Sequence, residues 1–362
     1  MIKPYLKDFK PYPPGKPIEE LRRELGIEGP IVKLASNENP FGPSPKAIEA
    51  IKEAAKDVHR YPDPSGYELK KALAQKLGVK PEEIVLGNGS NEVIDLLVKA
   101  LLAPGDTALM SEPSFLMYEK FVQAAGGNIK KIPLKNLRHD LFALAGAIDE
   151  KTRLLFLDNP HNPTGSIIKH HEFESWIKDL PKNILIVLDE AYIEFNEDPE
   201  IINGLKFKDH KPPVAILRTF SKAYGLAGLR IGYGIMNQAL ADVLNAIRQP
   251  FNVNSLALTA AKVALEDEKY FKQVLNTFLE ERKRLTEALK RFGLKPYPSQ
   301  ANFILVEVGQ SGQKLYQALL RKGVIIRNTE AYGFSTCVRI SIGTPEENDF
   351  FLAKLKEVLN EA

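Results

Sequence analysis

The sequence predicts an α/β protein: a large unit with a mainly parallel sheet covered by helices, followed by a smaller α+β unit. Three observations predict it. Short apolar runs stop abruptly at polar residues, at positions 84–86, 107–110, 154–157, 184–188 and 214–217, as strands buried on both faces do. Segments of helical length, such as residues 91–102, separate several of these runs and suit crossovers between parallel strands. At 362 residues the chain also exceeds the ~100–200 residues expected of one domain.

The elements follow in chain order. Prolines at 4, 11, 13, 14 and 17 make the opening segment an extended arm that carries Tyr5 and Tyr12 and ends in a short charged helix, Ile18–Leu25. Ser44 caps the next helix, Pro45 occupies its first turn, and Ala47, Ile48, Ile51, Ala54, Ala55 and Val58 fall on one stripe. A further helix, Tyr67–Leu77, stops at Gly78. The βα region runs to about residue 240. A long amphipathic helix over 271–292 then ends at Gly293, and strands are expected at 302–308, 323–327 and 337–342. The expected division is an arm over 1–30 packing with the small unit, a large unit over 31–255 and a small unit over 256–362.

Composition excludes several function classes. With 49 Lys+Arg against 46 Asp+Glu, the net charge is +3, and the excess is interspersed with acids, so no footprint for nucleic acid is present. The longest mostly apolar stretch, 141–148, lies between Asp140 and Asp149. That is far short of the ~20 residues of a membrane helix. The first eight residues lack an apolar core of the secretory kind. The single cysteine, Cys337, cannot form an internal disulfide and fits a reducing cytoplasm. It also cannot build a cysteine-based zinc site, and no His-Glu-x-x-His string is present, so no metal is expected.

In such sheets ligands bind beyond the carboxyl ends of the strands. After 84–86 comes Gly87-Asn88-Gly89-Ser90-Asn91-Glu92, a glycine turn opening a helix whose free N–H groups suit a phosphate. It lacks the third glycine of a dinucleotide fingerprint and the Lys-Ser/Thr of a Walker A loop. After 154–157 comes Asp158-Asn159-Pro160-His161-Asn162-Pro163-Thr164-Gly165, a rigid turn able to aim an amide, with His161 read as a turn residue. After 184–188 comes Asp189-Glu190-Ala191-Tyr192. This resembles a Walker B element, but the missing phosphate loop argues against an NTPase. A carboxylate at a buried strand end is costly without a cation, so Asp189 needs either a structural arginine or a cationic ligand. After 214–217 comes Arg218-Thr219-Phe220-Ser221-Lys222-Ala223-Tyr224-Gly225-Leu226-Ala227-Gly228-Leu229-Arg230. A lysine among hydroxyls and small residues, with an arginine eight residues on, suits an aldehyde-bearing cofactor: the amine condenses with the aldehyde while Ser and Arg hold a phosphate.

The string 219–228 resembles the pyridoxal-phosphate attachment signature of the class II aminotransferases, fold type I. Supporting strings stand in the family's order: Ser36-Asn37-Glu38-Asn39-Pro40-Phe41-Gly42, Arg60-Tyr61-Pro62, Gly89-Ser90-Asn91-Glu92, Asn162-Pro163-Thr164-Gly165, Asp189-Glu190-Ala191-Tyr192 and Arg339. The resemblance implies the fold type I architecture and pyridoxal 5'-phosphate bound through Lys222. It implies that Asp189 pairs with the ring nitrogen, and that Asn162 and Tyr192 bond its phenolic oxygen. Ser90, Asn91, Thr219, Ser221 and Arg230 would hold the phosphate, and Phe115 would stack on the ring. Tyr61 would reach that phosphate from a neighbouring subunit, making the protein a homodimer. The family more often has Tyr at the stacking position and Asp where Asn91 stands. The resemblance also implies a cis bond at Asn162-Pro163.

Within the family, residues 36–42, 60–62 and the pair Arg327 and Arg339 are most similar to members acting on histidinol phosphate, with glutamate and 2-oxoglutarate as the other amino-group pair. Arg339 matches the family's carboxylate-binding arginine, and a guanidinium fork accepts a carboxylate or a phosphate. Arg327, Tyr12 and Asn162 complete the substrate set by similarity. Tyr118 is a weaker candidate that also reads as core. An aromatic amino acid aminotransferase and a decarboxylase of threonine phosphate stay open as alternatives. A non-enzymatic ligand sensor would need a DNA-binding domain, which the arm is too short to provide.

Overall fold

The computed structural model describes residues 2–7, 9–12 and 14–361. Pro13, one of the arm prolines, lies outside them, as do Met1, Asp8 and Ala362. Strands are β1 (Val32–Leu34), β2 (Ile84–Gly87), β3 (Thr107–Glu112), β4 (Asn128–Pro133), β5 (Thr152–Asp158), β6 (Leu185–Asp189), β7 (Val214–Thr219), β8 (Gly232–Ile235), β9 (Lys295–Pro296), β10 (Phe303–Glu307), β11 (Val324–Asn328) and β12 (Cys337–Ser341). They form a large sheet of order β2-β8-β7-β6-β5-β3-β4 and a small one of order β1-β11-β12-β10-β9. In the large sheet β8 pairs antiparallel with β2 and β7, and the other pairs are parallel. In the small sheet only the β1–β11 pair is parallel.

Successive side chains of a strand point to opposite faces, and both faces of the large sheet are covered. Leu155, Leu157, Ile186, Leu188 and Ile216 pack in one cluster with Leu69 and Leu73 of the helix Tyr67–Leu77 and with Ala257, Ala260 and Ala261 of the helix Ser255–Glu266. Their neighbours Leu154, Phe156, Leu185, Val187, Ala215 and Leu217 pack on the other face with Val93 and Leu97 of the helix Ser90–Leu101 and Val122 of the helix Leu116–Ala125. Burying each such side chain contributes about 1.5–3 kcal/mol. Removing one from the middle of β5 or β6, as in Leu155→Ala, would cost about 2–5 kcal/mol. The small sheet packs Val338, Ile340 and Ile304 against Phe278, Leu285 and Leu289 of the helix Glu268–Arg291 and Phe351 of the helix Pro345–Asn360.

Two segments pack across the expected unit boundaries. β1 joins the small sheet beside β11, although it lies within 31–255. The helix Ser255–Glu266 packs into the large-sheet core, although it lies almost wholly within 256–362. The arm also divides its packing. Leu21 sits with Ala35, Leu320 and Ile325 of the small unit, whereas Tyr5 abuts Gly126 and Phe9 lies under the Lys120 ammonium, both beside the large sheet.

Two local expectations differ from the structure. The cis bond is at Asn159-Pro160 rather than Asn162-Pro163, with others at Glu112-Pro113 and Lys211-Pro212. Residues 161–165 instead close a turn in which the Gly165 N–H donates to the His161 carbonyl at 2.7 Å. The stripe that starts at Ala47 is covered only in part. Ala47 is buried, but the helix ends at Ala54 and continues as a tight turn, Ala55–Asp57, leaving Ile48 and Val58 exposed. No helix among the described residues is long and apolar enough to cross a membrane.

Candidate active site

The carboxyl ends of β5, β6 and β7 and the turn after β2 open on one side of the large sheet, toward β12. They line a cavity of about 400 Å³ that brings together Ser90, Asn91, Phe115, Asn162, Asp189, Tyr192, Thr219, Ser221, Lys222 and Arg230. Ten of the sequence candidates therefore share one space, from segments up to 140 residues apart. Ser36, Glu38, Tyr118 and Asp158 complete much of the wall.

One end of the cavity is an anion cradle. The helix Ser90–Leu101 begins here behind Gly89, which as N-cap has no side chain to cap it, so its first N–H groups and positive dipole end face the cavity uncapped by that residue. Arg230 lies across this turn, and its Nη1 reaches the Ser221 hydroxyl at 3.4 Å. The Thr219 hydroxyl accepts from the Ser221 N–H at 3.0 Å. The approach is close at two glycines, and at Gly232, which meets backbone, it requires one. A Cβ on Gly89 would fall 2.5 Å from an Arg230 nitrogen, and one on Gly232 would fall 2.4 Å from the Ser90 nitrogen. Gly89 also has φ +79, which other residues seldom adopt.

β6 ends at Asp189 and Glu190 follows it; the two adjacent acids have different partners, and of the two it is Asp189 that lines the cavity. Glu190 accepts from Arg218 at 2.8 Å, through both Nε and Nη2. The structural arginine at these strand ends thus serves Glu190, and Asp189 is left with neutral donors: the Tyr118 hydroxyl at 2.8 Å and the Ala191 N–H at 3.2 Å. Burial pushes the Asp189 carboxyl up to about 7, with the Tyr118 hydrogen bond opposing and the Asp158 charge adding. Asp158 stands beside it in register across β5 and β6. A buried carboxylate with no cation fits a ligand that supplies one. Tyr118 is therefore more than core: it is fully buried, and its hydroxyl orients this carboxylate.

Lys222 faces the same space. Its Nζ donates to the Ser36 carbonyl at 3.1 Å. Burial, aided by the Arg339 charge, pushes its amine down to about 8, so a useful fraction is neutral and nucleophilic near neutral pH. Asn162 is aimed from both sides. Its N–H donates to Asp158 Oδ2 at 2.7 Å, and its Oδ1 accepts from Arg339 Nη1 at 2.5 Å, which leaves its Nδ2 for another acceptor. Arg339 also donates to the Ala35 carbonyl at 2.8 Å, while its buried Nε has no hydrogen-bond partner among the described residues. Arg327 stands directly opposite Arg339 in the β11–β12 register, and both are buried. Tyr12 lies within the electrostatic reach of both arginines and of Tyr332, and burial raises its phenol.

Some candidates are outside the cavity. Arg327, Arg339 and Tyr12 are not among the residues that line it, although Arg339 touches Asn162, which does. Tyr61 is 82% exposed and stacks on Phe251 with ring centroids 4.6 Å apart. Asn37 and Asp158 were not singled out as site residues from sequence; Asp158, immediately after a buried run, carried the strand-end signal that marked Asp189. Asp158 also anchors a group with His139 and His161 whose ligand atoms lie within 4.8 Å. Each ring nitrogen already faces a protein partner: Ser111 and the Asp158 carbonyl for His139, Thr164 and the Pro113 carbonyl for His161. Burial and the neighbouring His161 hold His139 down at about 4, so it is neutral.

The cradle, the amine and the cation-seeking carboxylate together fit a phosphorylated aldehyde with a basic ring nitrogen. Comparison with known proteins agrees. The pattern of the family described as Aminotransferase class I and II matches residues 29–355. The histidinol-phosphate aminotransferase of Desulfotalea psychrophila is 47% identical over 359 residues, covering 98% of this chain and 94% of that protein. Histidinol-phosphate aminotransferase 2 of Carboxydothermus hydrogenoformans is also 47% identical, covering 99% of each chain. Among solved structures, the Sinorhizobium meliloti histidinol-phosphate aminotransferase in complex with pyridoxal-5'-phosphate superposes with a TM-score of 0.91 at 32% identity, covering 99% of this chain and 98% of that one. The α/β architecture is that of fold type I, and the chain belongs to the class I and II aminotransferases.

Proposed function

We propose that the chain is a pyridoxal-phosphate-dependent aminotransferase that exchanges an amino group between the pair histidinol phosphate and imidazole acetol phosphate and the pair glutamate and 2-oxoglutarate. The observation that carries this reading is Asp189: a buried carboxyl with no ion-pair partner among the described residues, in the same cavity as a buried, partly neutral lysine and an anion cradle. When bound, pyridoxal phosphate supplies a carbonyl for the amine and a protonated ring that delocalises negative charge from the substrate carbon.

The chain's own residues do the rest. Ser90, Asn91, Thr219, Ser221 and Arg230 bind the phosphate, and Asp189 keeps the ring nitrogen protonated through charge pairing. Tyr192 and Asn162 donate to the phenolic oxygen, and Phe115 covers the ring. Once displaced by substrate, the Lys222 amine would take the proton from the substrate α-carbon as base and deliver it as acid to the former carbonyl carbon of the cofactor, two bonds away across the nitrogen. Arg339 receives the substrate carboxylate or phosphate, with Arg327 beside it and Tyr12 closing from the arm. Because the amino group rests on the enzyme between two substrates, ping-pong kinetics are expected.

In this reading the active form is a homodimer in which Tyr61 of one protomer reaches its partner's phosphate. The exposure of Tyr61 and Ile247 supports it, since the Tyr61–Phe251 stack and the Arg248 bond to the Pro64 carbonyl bring residues 61–64 and 248–251 together, and an apolar patch, unlike scattered side chains, marks an interaction surface. The single buried cysteine agrees with a cytoplasmic location. Residues 31–255 carry the cofactor and 256–362 the substrate anion anchor, with β1 lent to the small sheet. Steady-state assays with purified protein test the substrate. Histidinol phosphate is expected to bleach the visible band and to yield imidazole acetol phosphate. A preference for phenylalanine, or release of carbon dioxide from threonine phosphate, would replace this reading with one of the two alternatives.

A further inference from the structure

Residues 35–37 cross between the two walls of the cleft, and each touches one functional side chain. The Ala35 carbonyl accepts from Arg339, the Ser36 carbonyl accepts from Lys222, and Asn37 Nδ2 donates to the Tyr192 hydroxyl at 3.0 Å. Only the third contact uses a side chain, and that side chain is tightly specified. Asn37 is 1% exposed and has φ +54, a region few non-glycine residues occupy. Its amide cannot be turned round without loss. The Ser341 hydroxyl donates to Oδ1 at 2.8 Å and accepts from the Asn37 N–H at 2.9 Å. Asn302 Nδ2 holds the Asn37 carbonyl at 3.0 Å.

A phenol that accepts from an amide keeps its own hydrogen for a different acceptor. Among the described residues the Tyr192 hydroxyl makes no other hydrogen bond, and Tyr192 lines the cavity. We infer that Asn37 is a positioning residue, which by donating to Tyr192 turns the phenolic hydrogen toward the ligand and, through Ser341, ties that donor to the strand carrying Arg339. The inference rests on the reading that Tyr192 bonds the cofactor's phenolic oxygen. It adds a residue that touches no ligand atom yet fixes the direction of one that does. Besides Asn37, the charged and titratable groups facing Tyr192 are Lys222 over its ring, Asp189, Arg339 and Tyr332.

The test uses the full chain loaded with pyridoxal phosphate, and it reads the pH midpoint of the bound cofactor's visible band without substrate. Asn37→Gly removes the amide while suiting the left-handed backbone, and Asn37→Asp puts an acceptor where the donor was. A donor to the phenolic oxygen stabilises its anionic form, so both substitutions should raise the midpoint, Asn37→Gly by about half a unit to one unit. In a Tyr192→Phe background the Asn37→Gly shift should vanish. An unchanged midpoint in Asn37→Gly, or an equal shift with and without Tyr192, overturns the proposal. If Asn37→Gly does not fold, Ser341→Ala frees the amide to rotate and should move the midpoint in the same direction by less; no movement overturns the proposal as well. Failure of the unsubstituted chain to develop a visible band would remove the cofactor reading itself, and this inference with it. A normal band that ignores Asn37 removes this inference alone.

Discussion

The two walls of the cleft are built by different means. On the large-sheet wall, functional side chains stand at the ends of adjacent parallel strands, and strand register places them: Asp158 is beside Asp189, and Asp189 beside Leu217, two residues before Thr219. On the small-sheet wall, register fixes Arg327 beside Arg339, but what they face depends on the arm and on residues 35–37. The first wall is rigid because it is the edge of a core buried on both faces. The second is assembled from segments that cross between units. A cofactor that stays bound suits the first, and substrates that come and go in two chemical forms suit the second.

The sharpest way to break this division is at Lys222. Lys222→Ala should abolish turnover and eliminate the visible band that pyridoxal phosphate gives with the unsubstituted chain. Full activity in that variant would remove the large-sheet wall from the chemistry. Next in size is Asp189. Asp189→Asn loses the charge pairing and should lower kcat by about a hundredfold or more.

The same substitution should stabilise the cofactor-free chain, and the sign follows from the proton count. With a folded value near 7 against about 4 unfolded, the native state binds more protons between these limits. Stability therefore falls as pH rises from about 4 to 7 and stays lowered above that. Lys222 acts in a separate window. Its depressed value of about 8 imposes a cost at low pH that is relieved between about 8 and 10. Urea unfolding at pH 8 should find cofactor-free Asp189→Asn more stable by about 2–4 kcal/mol, with the difference shrinking toward pH 4. Equal stability at pH 8 would mean that Asp189 already has a cation within the chain.

On the small-sheet wall the expected effect is on binding. A charge-assisted hydrogen bond is worth about 1.5–3 kcal/mol, so Arg339→Ala should raise KM for both substrates about tenfold to a hundredfold. If kcat falls instead and KM holds, Arg339 acts through its contact with Asn162, and the walls are not separate in function.

The large-sheet wall was also the more legible in sequence. Residues 154–157, 184–188 and 214–217 are continuous apolar runs because both faces of β5, β6 and β7 are buried, and each run points to the polar residue that follows it. Strands without a continuous apolar run are not legible in the sequence, even where, as in β8, every residue is buried. β4 is an edge strand with lysines at 130 and 131, β8 alternates glycine with Tyr233 and Ile235, and β1 has three residues. Asn37 lies within the string 36–42 that carries the resemblance, but nothing in that string foretells its task, since its left-handed backbone and its partners at 192, 302 and 341 are products of tertiary packing. Ile48 and Val58 show the converse. Their helical spacing is that of a core stripe, and in a single chain they remain exposed.

Those exposed positions lead to the smallest effect, which sharpens the comparison by asking whether the first wall is complete in one chain. Tyr61 does not reach the cavity of its own chain and stacks on Phe251 at the surface. If it serves a partner's phosphate, Tyr61→Phe removes one hydrogen bond and should weaken cofactor retention about three- to tenfold, with little change in the KM for glutamate. A mixing experiment distinguishes this from a local role. Lys222→Ala chains cannot react but still carry Tyr61, and Tyr61→Phe chains keep Lys222. After subunit exchange about half of the dimers are hybrids, each with one intact site. Cofactor retention by the reactive chains should then rise above that of Tyr61→Phe alone. No rise on mixing would assign Tyr61 to its own chain and make the large-sheet wall self-sufficient.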